Sequence, residues 1–176
     1  MKNVYLLDTN VASAFWDEGH PNYQDARNFV EDLGTDVVYI SRFVVAEVLY
    51  GHKVHAGSDA ARRKIIEDKM SAFRLIKDVD KHTVEPYSDI RTALFTEFGH
   101  RNKEGQIKKR RPESLVDETT SEQLGIEEND LWMAAIAVQY NMIFVSDDKM
   151  KRIKKVWPTL KFLEWKRPSA SQDAPA

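Results

Sequence analysis

Short, unbroken apolar runs recur along this chain, each followed or preceded by a stretch with helical spacing. That alternation limits the fold more than any other feature. Val4–Leu7, Val37–Ile40 and Ile143–Val145 are rich in aliphatic, β-branched and aromatic residues, as strands are. A strand with one wet face alternates apolar and polar residues, whereas these runs are apolar throughout, the mark of strands covered on both faces. The pattern therefore predicts an α/β fold built on a central parallel sheet.

The intervening segments fit helices. Val11–Trp16 is a short one. Pro21 opens a second through Asp32, with Ala26, Phe29, Val30 and Leu33 spaced for one face and Gly34 closing it. Ser41 suits the cap of a helix from Arg42 to about His52. Ala60–Ile76 reads as one long helix, with Ile65, Ile66, Met70, Phe73 and Leu75 near one face. Thr83–Val84 reads as a short strand, and Pro86 opens a helix through Phe98. Gly99–Asn129 is the least regular part and is expected to be a long loop with one short helix; loops of that length are functional or disordered. Asp130–Tyr140 is a strongly apolar helix ended by Asn141, Lys149–Val156 a basic helix, and Leu160–Leu163 a last strand. The tail from residue 167, RPSASQDAPA, has the composition of disorder.

Composition narrows the class. The chain has 176 residues, an apolar fraction of 42% and a formal net charge of −2, so no global field draws it to nucleic acid or membrane. It has no cysteine, which excludes disulfides and thiolate metal sites and makes a reducing cytoplasm the expected location. The beginning of the chain lacks a leader layout, and no apolar run approaches membrane-spanning length. There is no Gly-rich phosphate loop, no G-x-S-x-G and no Walker lysine. His52 and His55 have neither zinc-protease nor zinc-finger spacing and read as surface residues.

In parallel sheets ligands bind outside the carboxyl ends of the strands, and acids collect there. Asp8 follows the first strand; Asp147 and Asp148 follow Ile143–Val145. Glu47 lies on the helix after the second strand, and Asp130 opens the helix before Ile143. Each has a bland reading. Asp8 and Asp148 can cap helices, and Asp130 suits the first turn of its helix, where the dipole favours an acid. Glu47 is harder to dismiss, because Val44, Val45, Ala46, Val48 and Leu49 surround it and a buried carboxylate is costly. Taken together, converging acids repel: two unit charges about 4 Å apart cost on the order of 4 kcal/mol at an effective dielectric near 20. A cation relieves that cost. An all-oxygen set selects a hard ion, Mg²⁺ or Mn²⁺, and such a nest suits metal-assisted phosphodiester hydrolysis.

With these residues in view, the chain resembles the PIN-domain family, specifically the VapC-type toxin ribonucleases of toxin–antitoxin pairs. The matching pieces are LLDTNV, ISRFVVAEVLYG, NDLWMAAIAVQYNMIFVSDDKM and the closing LKFLEW, in the family's order. The resemblance implies a three-layer α/β/α sandwich over residues 1–166 as a single domain. It implies a Mg²⁺- or Mn²⁺-dependent endoribonuclease whose acids are Asp8, Glu47, Asp130 and Asp148. The family's Thr/Ser-x-Asp motif falls on Ser146 and Asp148, and Asp147 leaves the fourth ligand open between the two. Asn10 and Ser146 are implied as supporting polar groups. An antitoxin partner and a homodimer are implied as well. The chain departs from a compact family member in its 99–129 stretch and its tail.

An RNA substrate needs phosphate contacts. Lys108 and Arg110 in one basic run, and Lys151 and Arg152 in another, are the candidates, against the bland reading of a solvated surface. Trp16, Trp132, Trp157 and Trp165 suit core or interface packing, with stacking on bases as the second reading. Two rival functions remain. A haloacid-dehalogenase-like phosphotransferase needs a second acid where Asn10 stands. A PIN-like module that binds RNA or protein without cutting is the alternative of another class, and a stand-alone RNA-processing nuclease differs from a toxin only in its partner.

Overall fold

The structure is a computed structural model. It describes residues 2–34, 36–56, 59–71, 73–76, 79–107, 111–146 and 150–165. In chain order the elements are β1 (Val4–Leu7), α1 (Thr9–Trp16), α2 (Tyr23–Asp32), β2 (Val37–Ser41), α3 (Arg42–Ala56), α4 (Ala60–Met70), β3 (Arg74–Ile76) and α5 (Lys81–Phe98). A 3-10 turn, Pro112–Ser114, follows, then β4 (Val116–Asp117), β5 (Glu122–Gln123), α6 (Glu128–Gln139), β6 (Ile143–Ser146), α7 (Lys151–Val156) and β7 (Phe162–Glu164).

Five strands form one sheet in the order β3-β2-β1-β6-β7. Every pairing in it is parallel, with Leu7 opposite both Ile40 and Val145. Tyr5, Leu6 and Leu7 are all buried. Successive strand side chains point to opposite faces, so β1 is covered on both. Helices α1 to α4 pack among themselves, and α5 packs on α6 and α7, giving the two outer layers of an α/β/α sandwich. The expected fold class is therefore present. Helix α6 is buried almost all round, with Leu131 and Met133 to Ala137 inside, as a helix pressed between sheet and neighbours must be. Burying each large apolar side chain of this core contributes about 1.5–3 kcal/mol.

Most boundaries fall within a few residues of expectation. Ser41 Oγ accepts from Val44 N at 3.2 Å, as a cap should, and Asn141 ends α6 with φ +54°. Three expectations are corrected. The expected helix Ala60–Ile76 stops at Met70, and Arg74–Ile76 becomes β3, pairing with Tyr39–Ser41. A short apolar run fits either period, and the open edge of β2 decides for strand. Thr83–Val84 is not a strand. Thr83 is the third residue of α5, where its hydroxyl accepts from Asp80 N and also contacts Gln139 on α6. Pro86 accordingly lies inside that helix rather than at its start. Among the described residues of the 99–129 stretch the expected short helix is present as the 3-10 turn, and an Arg101–Ile107 bridge and the antiparallel β4–β5 ribbon add order that was not expected.

Candidate functional site

The chain runs from β1 out to β2 and β3, then crosses to β6 on the other side of β1. That reversal makes a switch point at the carboxyl ends of β1 and β6, where sheets of this kind bind ligands. Asp8 leaves β1 there and Ser146 ends β6 beside it. Asp8 N donates to Val145 O at 2.9 Å, which fixes the two strand ends together. Asp8 is 4% exposed and Ser146 fully buried.

Asp8 serves two neighbours. One carboxylate oxygen accepts from Thr9 N at 2.6 Å, so Asp8 is the cap of α1. The other accepts from the Ser146 hydroxyl. Glu47 reaches the same edge from α3, half-buried, with Val44 buried one turn before it. The Thr9 hydroxyl donates to one of its oxygens, and Asn129 Nδ2 donates to the other at 2.6 Å. Thr9 and Asn129 were not singled out from the sequence, though each is the neighbour of an acid that was. Asn10, which was, is exposed on the first turn of α1.

Asp130 completes the described part of the site. It lies in the first turn of α6 and accepts from Glu127 N at 2.7 Å. Burial pushes its carboxyl up to about 7, and the charges of Asp8, Glu127 and Glu47 push the same way, against that N–H. Thus three acids from β1, α3 and α6 lie within electrostatic reach. Among the described residues no three acidic or histidine side chains form a finished metal cage; the Ser146 hydroxyl is bonded to Asp8, and the Thr9 hydroxyl and Asn129 amide to Glu47. Each carboxylate oxygen keeps acceptor capacity beyond those donors. An all-oxygen set under mutual repulsion fits a hard cation in chemistry. Asp147 and Asp148 lie outside the described residues, as do Lys108 and Arg110 and the side chains of His52 and His55.

The two remaining cations are engaged within the fold. Lys151 pairs with Glu164 at 2.9 Å. Arg152 donates to Leu124 O at 2.6 Å and Gln123 O at 3.2 Å, tying α7 to the β5 ribbon. A second network braces the start of α6. Arg91 on α5 donates to Glu128 and to the Tyr87 hydroxyl, which also contacts Glu128.

A parallel α/β/α sandwich with acids gathered at its switch point defines a class of acid-site α/β proteins. The PIN domain family model matches residues 5–156, and the chain belongs to that family. Among solved structures it is similar to a chain of VapBC2 from Rickettsia felis bound to a promoter DNA fragment, with TM-score 0.62 and 21% identity over 93% of this chain and 99% of that one. It is also similar to VapBC-1 from nontypeable Haemophilus influenzae (0.58, 18%, 93% and 99%) and to FitAcB from Neisseria gonorrhoeae (0.57, 18%, 92% and 96%). At these identities the likeness establishes a shared fold. No curated protein gives a significant match. Among the described residues no helix is long and apolar enough to cross a membrane.

Proposed function

We propose that this chain is a metal-dependent endoribonuclease that hydrolyses RNA phosphodiester bonds, and that it acts as the toxin of a toxin–antitoxin pair. The observation that carries the reading is the approach of Asp8, Glu47 and Asp130 at the switch point, with Asp130 held near neutrality. Family membership supports the nuclease assignment, and the likeness to chains of VapBC and FitAcB supports an antitoxin partner. A homodimer and a cytoplasmic location belong to the same reading.

Asp8, Glu47, Asp130 and Asp148, with Asp147 as the alternative fourth acid, would hold Mg²⁺ or Mn²⁺. When bound, such an ion polarises the phosphate, lowers the pKa of a water and steadies the leaving oxygen. The chain's own groups do the rest. Ser146 orients the Asp8 carboxylate, and Thr9 and Asn129 hold Glu47 in place. In the ion-free chain burial and the neighbouring acids hold the Asp130 carboxyl up to about 7; a cation would relieve that repulsion and favour the carboxylate that holds it. Lys151 and Arg152 are assigned phosphate contacts, for which Lys151 would exchange its pairing with Glu164 and Arg152 its hold on two carbonyls; Lys108 and Arg110 are assigned the same role.

The test is incubation of single-stranded and structured RNA with the purified chain in Mg²⁺, Mn²⁺ or chelator, beside Asp8→Asn. Internal cuts that need the ion and vanish in the variant are expected. RNA left whole by folded, ion-replete, partner-free protein would move the assignment to a binding module that does not cut. Equal cutting by Asp8→Asn would reduce Asp8 to a helix cap.

A further inference from the structure

Three aromatic rings from three helices line up beside the acids. Trp132 on α6 lies face to face with Tyr87 on α5, centroids 3.7 Å apart and planes 9° apart. Phe43 on α3 is also nearly parallel to Trp132, at 14°, but its centroid is 6.5 Å away. All three residues are half-buried rather than enclosed. Elsewhere in the same protein rings meet differently: Phe15 and Phe73, half-buried as well, and Trp16 with Phe73 are edge-on, at 76° and 64°. Edge-on or offset contacts are what ring quadrupoles favour. Aligned, partly open faces are what a stacked base needs.

Placement ties the rings to the site. Phe43 is one helical turn before Glu47 on α3, and Trp132 is one turn after Asn129 on α6, so each shares a helix face with its neighbour. Asn129 and Glu47 are hydrogen-bonded to each other. The Tyr87 ring is fixed in advance, because Glu128 and Arg91 hold its hydroxyl. A surface already ordered loses little entropy on binding.

We propose that Trp132, stacked on Tyr87 and flanked by Phe43, seats an unpaired nucleobase of the RNA next to the phosphate that is cut. The inference rests on the ribonuclease reading and names a subsite of it. It makes Trp132 a substrate-positioning residue, indifferent to which base it seats, and the seated nucleotide must be unpaired. Duplex RNA would have to give up pairing to reach the seat.

The experiment uses short single-stranded RNAs carrying 2-aminopurine or an abasic unit at each position in turn. The proteins are the full chain and its Trp132→Phe, Trp132→Ala and Phe43→Leu variants, each in parent and Asp8→Asn form. Stacking removed by truncation to alanine should cost about 5- to 150-fold in affinity or kcat/KM. That loss should disappear with RNA abasic at the seated position, and Trp132→Phe, which keeps a ring, should recover much of it. 2-Aminopurine at that position should be quenched by the Asp8→Asn protein and not by its Trp132→Ala form. A loss equal on intact and abasic RNA, or quenching unchanged without Trp132, would overturn the seat. If the parent cuts no RNA, the ribonuclease reading falls, while the binding and quenching results still decide the seat.

Discussion

Replacing Asp130 with Asn should stabilise the ion-free protein, and more so as pH rises. The folded state holds this carboxyl at about 7 against an ordinary 3.8. Its stabilising contribution is therefore fully present below the unfolded value, and it is lost as pH rises through the folded one. The whole displacement corresponds to ~4 kcal/mol at 1.36 kcal/mol per pH unit. Asp130 is partly open to solvent, and screening reduces this to about 2 kcal/mol between pH 4.5 and pH 8. Asn keeps an oxygen for the Glu127 N–H and removes the charge facing Asp8 and Glu47. For a chain of this size the gain at pH 8 is about 4–8 °C in Tm. Thermal or urea unfolding in chelator at the two pH values measures it. Saturating Mg²⁺ should then raise the Tm of the parent at pH 8 more than that of the variant. An effect equal at both pH values, or a loss at both, would refute the reasoning, since neither can come from a carboxyl displaced by burial and repulsion.

Asn129→Ala leaves Glu47 without its 2.6 Å partner; a hydrogen bond to a charged group contributes about 1.5–3 kcal/mol, so kcat/KM on RNA should fall about 10- to 150-fold with little change in far-UV circular dichroism. Arg152→Ala frees the Gln123 and Leu124 carbonyls, and limited proteolysis within the β4–β5 ribbon should speed up while urea unfolding shows a loss of about 1–3 kcal/mol. Leu94→Ala, at a fully buried position of α5, should cost 2–5 kcal/mol in the same assay.

Much of this protein was legible in one dimension. The unbroken apolar strands announced a sheet covered on both faces, because a wet face would have demanded alternation. Asp8, Glu47 and Asp130 could be picked out because each is an acid at a strand end, in an apolar helix or at a helix start. Other features depended on partners far away in sequence. Arg74–Ile76 has no local mark separating strand from helix; the exposed edge of β2, more than thirty positions earlier, gave it a register. Thr83 has the β-branched look of a strand residue, yet Asp80 and Gln139 hold it in a helix. The basic look of Arg152 hid a structural duty, because the carbonyls it holds lie 28 and 29 residues away. Above all, the reversal of strand order between β1 and β6 is a property of the assembled sheet. Sequence supplied the acids, their apolar surroundings and the periodicities that build each element. Only the tertiary structure brought Asp8 beside Ser146, set Thr9 and Asn129 on the two oxygens of Glu47, and aligned Phe43, Trp132 and Tyr87. Such contacts join groups that no local pattern connects, and repulsion among acids has an energy only once the fold has fixed the distances.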